Sequence, residues 1–321
     1  MQWAERIGRR IKPRDLHLLT VVAEHGNIAK AAESLAVSRP VVSRTIAELE
    51  RMLGVPLFDR TAHGVEPTLY GRALAKRSVA IFDELRQSIR EIEFLADPGS
   101  GEFSIGSTEA IAAGLLATVI EQLSQEHPKL VFKMELGNAA ARLRLLRERQ
   151  CELVVARQRQ PEPDLTIEPL FHERLVVVAG PGNRWLGRRK IDLAALVREP
   201  WIHAPLEIEP GGPTHAAFRA FGLDVPCTIV SESVGFRYSM LASGRFLTMV
   251  PGSLLLHAPK HLGLRALAVD MPRWDAPTSI ITVKGRTLSP AAELFMARLR
   301  ELAKALRKLG GTRSGRSATK G

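Results

Sequence analysis

Residues 27–60 read NIAKAAESLAVSRPVVSRTIAELERMLGVPLFDR, and the fold of the N-terminal region follows from their spacing. Ile28, Ala31, Ala32 and Leu35 recur at helical intervals and form one inward stripe, which predicts a short helix over 28–35. The small Ala31 and Ala32 let a steeply crossing helix come close. Leu35-Ala36-Val37 makes the turn, with Val37 plugging the angle. Ser38 suits an N-cap whose hydroxyl accepts from an orphaned backbone N–H, and Pro40 is tolerated just inside the helix. Val42, Ile46, Leu49 and Leu53 then keep period 3.6, which leaves Arg39, Pro40, Ser43, Arg44 and Ala47 on the opposite side.

That outward face pairs two guanidiniums with small residues. Arg can reach guanine O6 and N7 bidentately, and Ser can meet a base edge or a phosphate. An ordinary amphipathic helix with a solvated Arg face gives the same pattern. Gly54-Val55-Pro56 stops the helix, and Leu57 through Thr68 reads as a two-stranded wing turning near His63-Gly64. Upstream, Pro13 opens a helix whose Leu16, Leu19, Val22 and Ala23 cover the pair.

The run from Leu16 through Gly71 resembles the winged helix-turn-helix of LysR-type transcriptional regulators. The resemblance rests on AEHGNIAKAAESLAVSRPVVSRTIAELERMLGVPLFDRT and the later Pro67-Thr68 and Gly71. It implies that Ser38, Arg39, Pro40, Ser43 and Arg44 face duplex DNA, that Arg60 and Thr68 hold phosphates, and that Asn27 and His63 complete the set. Family members commonly carry a basic wing residue where this chain has His63; a neutral His weakens that contact or makes it pH-dependent.

At 321 residues the chain exceeds one typical core, so two or more domains are expected. The expected division is a basic extension over 1–12, the winged domain over 13–70, a linker helix over 71–97, an effector domain over 98–309 and a disordered basic tail over 310–321. No apolar run approaches a membrane span, MQWAERIGRRIKPRD has no secretory apolar region, and two cysteines suit a reducing cytoplasm. Cys151 and Cys227 both sit in apolar company and are expected to be buried thiols. The net charge is +11, yet residues 1–97 hold 15 Lys/Arg against 13 Asp/Glu. The expectation of DNA binding therefore rests on local pattern rather than on net charge.

From Leu69 to Leu95 nothing breaks a helix after Gly71. Leu74, Ser78, Ile81, Leu85, Ser88, Ile92 and Leu95 make one stripe; Val79, Phe82 and Ile89 make a second. A helix apolar on two sides is covered on both, by its own subunit or by a symmetry mate, and the resemblance implies dimerisation through Leu74, Ile81, Leu85 and Ile92. Asp97-Pro98-Gly99-Ser100-Gly101 reads as a hinge.

Beyond Gly101, β-prone runs at 103–107, 130–136, 152–156, 175–179, 200–204, 225–230, 246–250 and 279–283 alternate with helical stretches near 109–126, 139–149, 212–221, 233–243 and 289–309. Alternation predicts mostly parallel sheets covered on both faces. The order of elements resembles the two-lobed, periplasmic-binding-protein-like α/β effector domain of the same family. Lobe I is expected over about 102–172 and 278–309, and lobe II over about 173–277. Ligands in such folds sit beyond the carboxyl ends of strands, which nominates Ser107, Thr108, Asn138, Arg157, His203, Phe236, Thr248 and Val250. Arg142, Arg144, Arg147 and Arg149 crowd one helix as a solvated face or as an inter-subunit or anion contact.

No P-loop, GxGxxG or GxSxG occurs, two cysteines cannot build a Cys-rich zinc site, and Pro259 spoils the i,i+4 pair His257 and His261. The expectation is no enzyme, no cofactor and no metal. The reading is an α/β protein with an N-terminal winged helix-turn-helix, acting in the cytoplasm as a homodimer or, on the family's pattern, a homotetramer. Its partners would be double-stranded DNA, a small effector to which the surplus Arg lends an anionic character, and RNA polymerase, with no membrane. Two alternatives stay open: a small-molecule receptor with no role on DNA, and a regulator with no ligand.

Overall fold

A computed structural model of the chain describes residues 11–61, 64–157, 161–172, 174–256, 258–272 and 277–312. The basic extension up to residue 10, the tail from 313, His63 and His257 lie outside the described residues. The chain forms two compact units that divide between Ile89 and Arg90.

In the first unit, α1 (Pro13–His25), α2 (Ile28–Ser34) and α3 (Arg39–Leu53) are followed by the strands β1 (Phe58–Thr61) and β2 (Gly64–Pro67) and by the start of α4 (Leu69–Ala96). The predicted inward residues make its core: Leu19, Val22, Ala31, Val42, Leu49 and Leu57 are all essentially inaccessible. Each Leu so buried contributes about 1.5–3 kcal/mol relative to an exposed one. Ala36 turns the chain with φ 52°. Gly26 and Gly54, both left-handed, end α1 and α3.

The wing is an antiparallel hairpin with Phe58 opposite Pro67. Glu50 from α3 holds its base, its Oε1 accepting from Leu57 N at 2.7 Å and from Phe58 N at 3.2 Å. Gly71, in the first turn of α4, lies against the wing so closely that a Cβ there would meet Leu57 O at 2.0 Å. Only glycine fits that approach.

The long helix α4 runs unbroken, as its sequence predicts. Its faces differ from the expected stripes. Leu74 packs into the winged-domain core instead of joining the outer stripe, because it lies in the turns nearest that core. Ile81, Leu85, Ile89, Ile92 and Leu95 stay 47–72% exposed. Asp83 and Gln87 are buried polar positions that hydrophobic spacing could not flag, and Ser78, a member of the first stripe, is buried as well.

The second unit holds two sheets with separate cores. In lobe I, β3 (Ser100–Ser107), β4 (Lys129–Leu136), β5 (Leu153–Arg157), β6 (Leu165–Phe171) and β12 (Thr278–Val283) lie in the order β4-β3-β5-β12-β6. β3 runs parallel to β4 and β5, whereas β12 is antiparallel to β5 and β6. β5 reads LVVAR because both its faces are covered: Leu153 and Val155 join one core, Val154 and Ala156 the other. The strand β6 was not expected from the sequence. Its Pro169 argues against a central strand and is tolerated here because β6 is the sheet's edge.

Helix α5 is built of Glu109–Ile111, a wider π-helical Ala112–Leu116 and Ala117–Glu126; α6 is Ala139–Arg147. The final helix α12 (Pro290–Thr312) returns Phe295 and Leu299 to the core around Phe103.

In lobe II, β7 (Leu175–Ala179) sits antiparallel between β10 (Leu247–Pro251) and β11 (Arg265–Ala266). A mostly parallel sheet is thus not what forms here. The parallel ladder is short: β8 (Ile202–His203) on β9 (Ile229–Val230), joined to β10 through a Trp201–Leu247 bridge. The expected strands at 200–204 and 225–230 shrink to these two-residue pieces. Short helices α7 (Leu193–Leu196), α8 (Pro205–Ile208), α9 (Pro213–Ala220), α10 (Val234–Ala242) and α11 (Gly252–Leu256) surround the sheets. Among the described residues no helix is long and apolar enough to cross a membrane.

Candidate nucleic-acid interface and effector cleft

Helix α3 buries Val42, Ile46 and Leu49 and turns Arg39, Pro40, Ser43, Arg44 and Ala47 to solvent. Its first turn holds no acidic residue. Ser38 occupies the N-cap with extended backbone, yet its hydroxyl makes no capping bond. The expected cap bond is absent, and the exposed Ser38 hydroxyl remains available to an outside acceptor. Pro40, in the first turn, supplies the preset φ that starts the helix without that bond.

The other expected contacts divide. Arg60 is exposed on β1. Asn27 is the working cap of the pair: its Oδ1 accepts from Ala29 N at 2.8 Å and Lys30 N at 3.2 Å. The Thr68 hydroxyl donates to Pro56 O at 2.7 Å and accepts from Gly71 N at 3.1 Å, so its proton is committed to the wing. A phosphate contact through that proton would break this bond. Thr68 fastens the wing to α4, a role that spacing does not reveal.

Ser107, Arg157 and His203 end β3, β5 and β8, and Thr108 and Asn138 follow β3 and β4, whereas Thr248 and Val250 lie within β10 and Phe236 lies on a helix; several of these candidates are spent on the fold. Ser107 is fully buried and donates to Val155 O at 2.9 Å. Thr248 donates to Ile202 O at 2.7 Å, and Val250 is core. Thr108 caps α5, accepting from Ile111 N at 3.3 Å, and Asn138 caps α6, accepting from Ala141 N at 2.9 Å. Arg157 is half-buried at the end of β5, and Phe236 is exposed on α10. His203 stacks on Trp201 with ring centroids 5.4 Å apart, and its Nε2 lies 2.8 Å from Pro226 O. Burial pulls its imidazole below the ordinary histidine range. Its Nδ1 is buried without a hydrogen-bond partner among the described residues.

Glu109 and the Arg237–Glu207 pair, which spacing did not single out, complete the region together with Arg142. Glu109 reaches from lobe I to lobe II, its Oε1 accepting from Val234 N at 2.9 Å at the start of α10. Arg237 is buried on α10 and donates from one Nη to both oxygens of Glu207, at 3.1 and 3.0 Å. Glu207 in turn accepts from Ala204 N at 2.8 Å. Arg142, read earlier as part of a solvated face, is buried beside the end of β4, donates to Gly137 O and is pushed down to about 10 by burial. Arg147 does lie at the surface, paired with Glu162 and Asp164 at 2.9 and 2.7 Å. A run of arginines on one short helix therefore faces two environments.

The cysteines also part. Cys151 is buried and its thiol is pushed up to about 11, whereas Cys227 is exposed on the irregular segment before β9, contrary to the expectation of two buried thiols.

Residues 13–72 match the family described as bacterial regulatory helix-turn-helix protein, lysR family, and residues 96–304 match the LysR substrate binding domain. The HTH-type transcriptional regulator GbpR of Azospirillum brasilense is 30% identical over 301 residues, covering 91% of this chain and 86% of that protein. An SDS degradation transcriptional activation protein of a Pseudomonas species is 28% identical over 284 residues, 87% of this chain and 92% of its own. Among solved structures, a full-length OxyR variant from Pseudomonas aeruginosa superposes with a TM-score of 0.63 at 20% identity, over 91% of this chain and 95% of that one. Full-length CbnR complexed with its target DNA gives 0.60 at 21% identity, over 91% and 99%. At such identities the two structures speak for the fold.

Proposed function

The chain belongs to the LysR family of bacterial transcriptional regulators, carrying that family's helix-turn-helix and substrate-binding domains, and from that premise we propose a specific division of labour among its residues. Residues 13–70 read operator DNA, 71–97 pair the subunits, and 98–309 bind a small molecule between the lobes whose occupancy changes operator binding or DNA bending. The protein works in the cytoplasm as a homodimer or homotetramer and hands its signal to RNA polymerase.

One observation carries the reading: Arg39, Pro40, Ser43 and Arg44 form an exposed face on a helix whose opposite side is fully buried, and no carboxylate in the first turn opposes it. Guanidiniums held so can meet guanine in the major groove while Arg60 meets the backbone beside it. For the effector, the buried Arg142 and the half-buried Arg157 support an anionic ligand, and the unpartnered Nδ1 of His203, an acceptor because Nε2 donates to Pro226 O, supports a hydrogen-bond-donating group on it. A ligand changes the output only through different affinities for two arrangements of the protein.

The test is a gel shift with DNA from upstream of the gene across a salt series. Steep salt dependence with sequence preference is the expected result. Arg39→Ala and Arg44→Ala should each weaken operator binding by about 1–3 kcal/mol and relax base preference. Operator binding unchanged in both variants would overturn the assignment of this face.

A further inference from the structure

Lobe II carries a concavity of about 540 Å³ that shares no residue with the interlobe candidates; Asn183, Arg184, Arg198, Glu199, Thr228 and Arg245 line it. We propose that this concavity is a second binding site, for a small molecule bearing at least two oxyanion groups.

Charge is the first argument. Three guanidiniums meet here with one carboxylate, and that carboxylate, Glu199, pairs with Arg184. Arg198 and Arg245 are exposed and have no ion-pair partner among the described residues. Arg245 lies over the Phe246 ring, 5.5 Å from its centroid. Crowded like charges repel and raise the local affinity for anions. On the loop that follows Asn183, Arg188 lies 4.4 Å over the Trp185 ring. A single monoanion would leave one guanidinium unanswered; two oxyanion groups satisfy both, each by a bidentate charge-assisted pair.

Construction is the second. The walls are fixed by hydrogen bonds that do not involve the two free arginines. Asn183, nearly buried, donates from Nδ2 to Gly244 O at 2.9 Å and accepts from Trp185 N at 3.0 Å. Gly244 has φ 73°, and a Cβ there would meet Pro181 O at 2.2 Å, so this approach admits only glycine. On the other side Leu247 N donates to Pro200 O at 2.9 Å, and Trp201 N donates to the Thr228 hydroxyl at 3.2 Å. Beneath them the buried Trp201 indole donates to Leu196 O at 2.8 Å. Arg198 and Arg245 thus rise from two backbone segments locked to each other. The backbone beneath the two arginines is thereby fixed before a ligand arrives, so that only their side chains lose freedom on binding. The volume lies in the range of small-molecule sites, and a concave wall suits a compact solute rather than a duplex.

Isothermal titration of the full-length chain tests the site, with citrate and pyrophosphate as probes and acetate as the single-charge control, all at matched ionic strength. Saturable binding of citrate, pyrophosphate or both is expected, with the tighter one naming carboxylate or phosphate as the preferred group, and acetate weaker by about tenfold or more. Arg198→Gln and Arg245→Gln should each weaken the probe about tenfold. Glu199→Gln, which releases Arg184, should tighten it. Arg144→Gln, the same charge change on lobe I, should leave it unaltered. All four side chains are replaced by a polar residue of similar reach, and the three arginines are exposed, so folding is preserved. Loss of both probes up to about 10 mM in the wild type, equal weakening by Arg144→Gln, or binding indifferent to Arg198, Arg245 and Glu199 would each overturn the proposal. None of these readouts involves DNA, so the result is independent of the operator assignment.

Discussion

His203 shows how one buried group sets a pH window. Burial disfavours its charged form; the Pro226 carbonyl and the Glu207 carboxylate favour that form, Arg237 opposes it, and burial outweighs them. The native imidazole is therefore neutral where the unfolded chain, titrating near about 6.5, has begun to bind a proton. Below that pH the unfolded state holds more protons, so stability falls as pH drops, by up to about 1.4 kcal/mol per unit until the native pKa is reached. Wild type should lose more thermal stability than His203→Phe between pH 7.5 and 5.5, read by tryptophan fluorescence. The replacement keeps the stack on Trp201. Equal losses in both proteins would remove His203 from the account. At this scale the sequence told which residues point outward on α3, because helical period alone decides that. It could not tell that the hydroxyls of Thr68, Ser107 and Thr248 are spent on carbonyls 12, 48 and 46 residues away in the chain.

Elements were legible where one regular pattern runs long enough. α3 and α4 could be read because nothing breaks their spacing, and β5 because two covered faces demand an unbroken apolar run. β6 was hidden by Pro169, whose tolerance depends on being at a sheet edge, and β8 and β9 are too short to leave a pattern. The sidedness of α4 was only half legible. Buried Asp83 and Gln87 interrupt the code, while Ile81, Leu85, Ile92 and Leu95 keep apolar surface in water. Covering what remains exposed of each is worth about 1–2 kcal/mol, which favours pairing of two copies of α4. Leu85→Glu with Ile92→Glu should convert the oligomer to a monomer in sedimentation velocity while leaving helical content by circular dichroism unaltered. A sedimentation coefficient unchanged by both substitutions would place the subunit contact elsewhere.

On the scale of the molecule, one tie between the lobes of the second unit is the hydrogen bond from Val234 N to Glu109. A carboxylate at a helix N-terminus is favoured by the unpaired N–H groups there, and a hydrogen bond to a charged group contributes about 1.5–3 kcal/mol. Glu109→Gln keeps the shape and removes the charge, so amide exchange at 234–236 should quicken about tenfold or more. Unchanged protection at those amides would show that packing alone holds the lobes. The foot of α4 has a different reach. Gly71 leaves no room for a methyl group against Leu57, so even alanine there would have to lever the helix off the wing. With 28 residues rising 1.5 Å each, α4 is an arm of roughly 42 Å, and a tilt of about 5° at its root swings the tip by roughly 4 Å. The angle at which α4 leaves the wing is thus governed by a missing side chain at its foot.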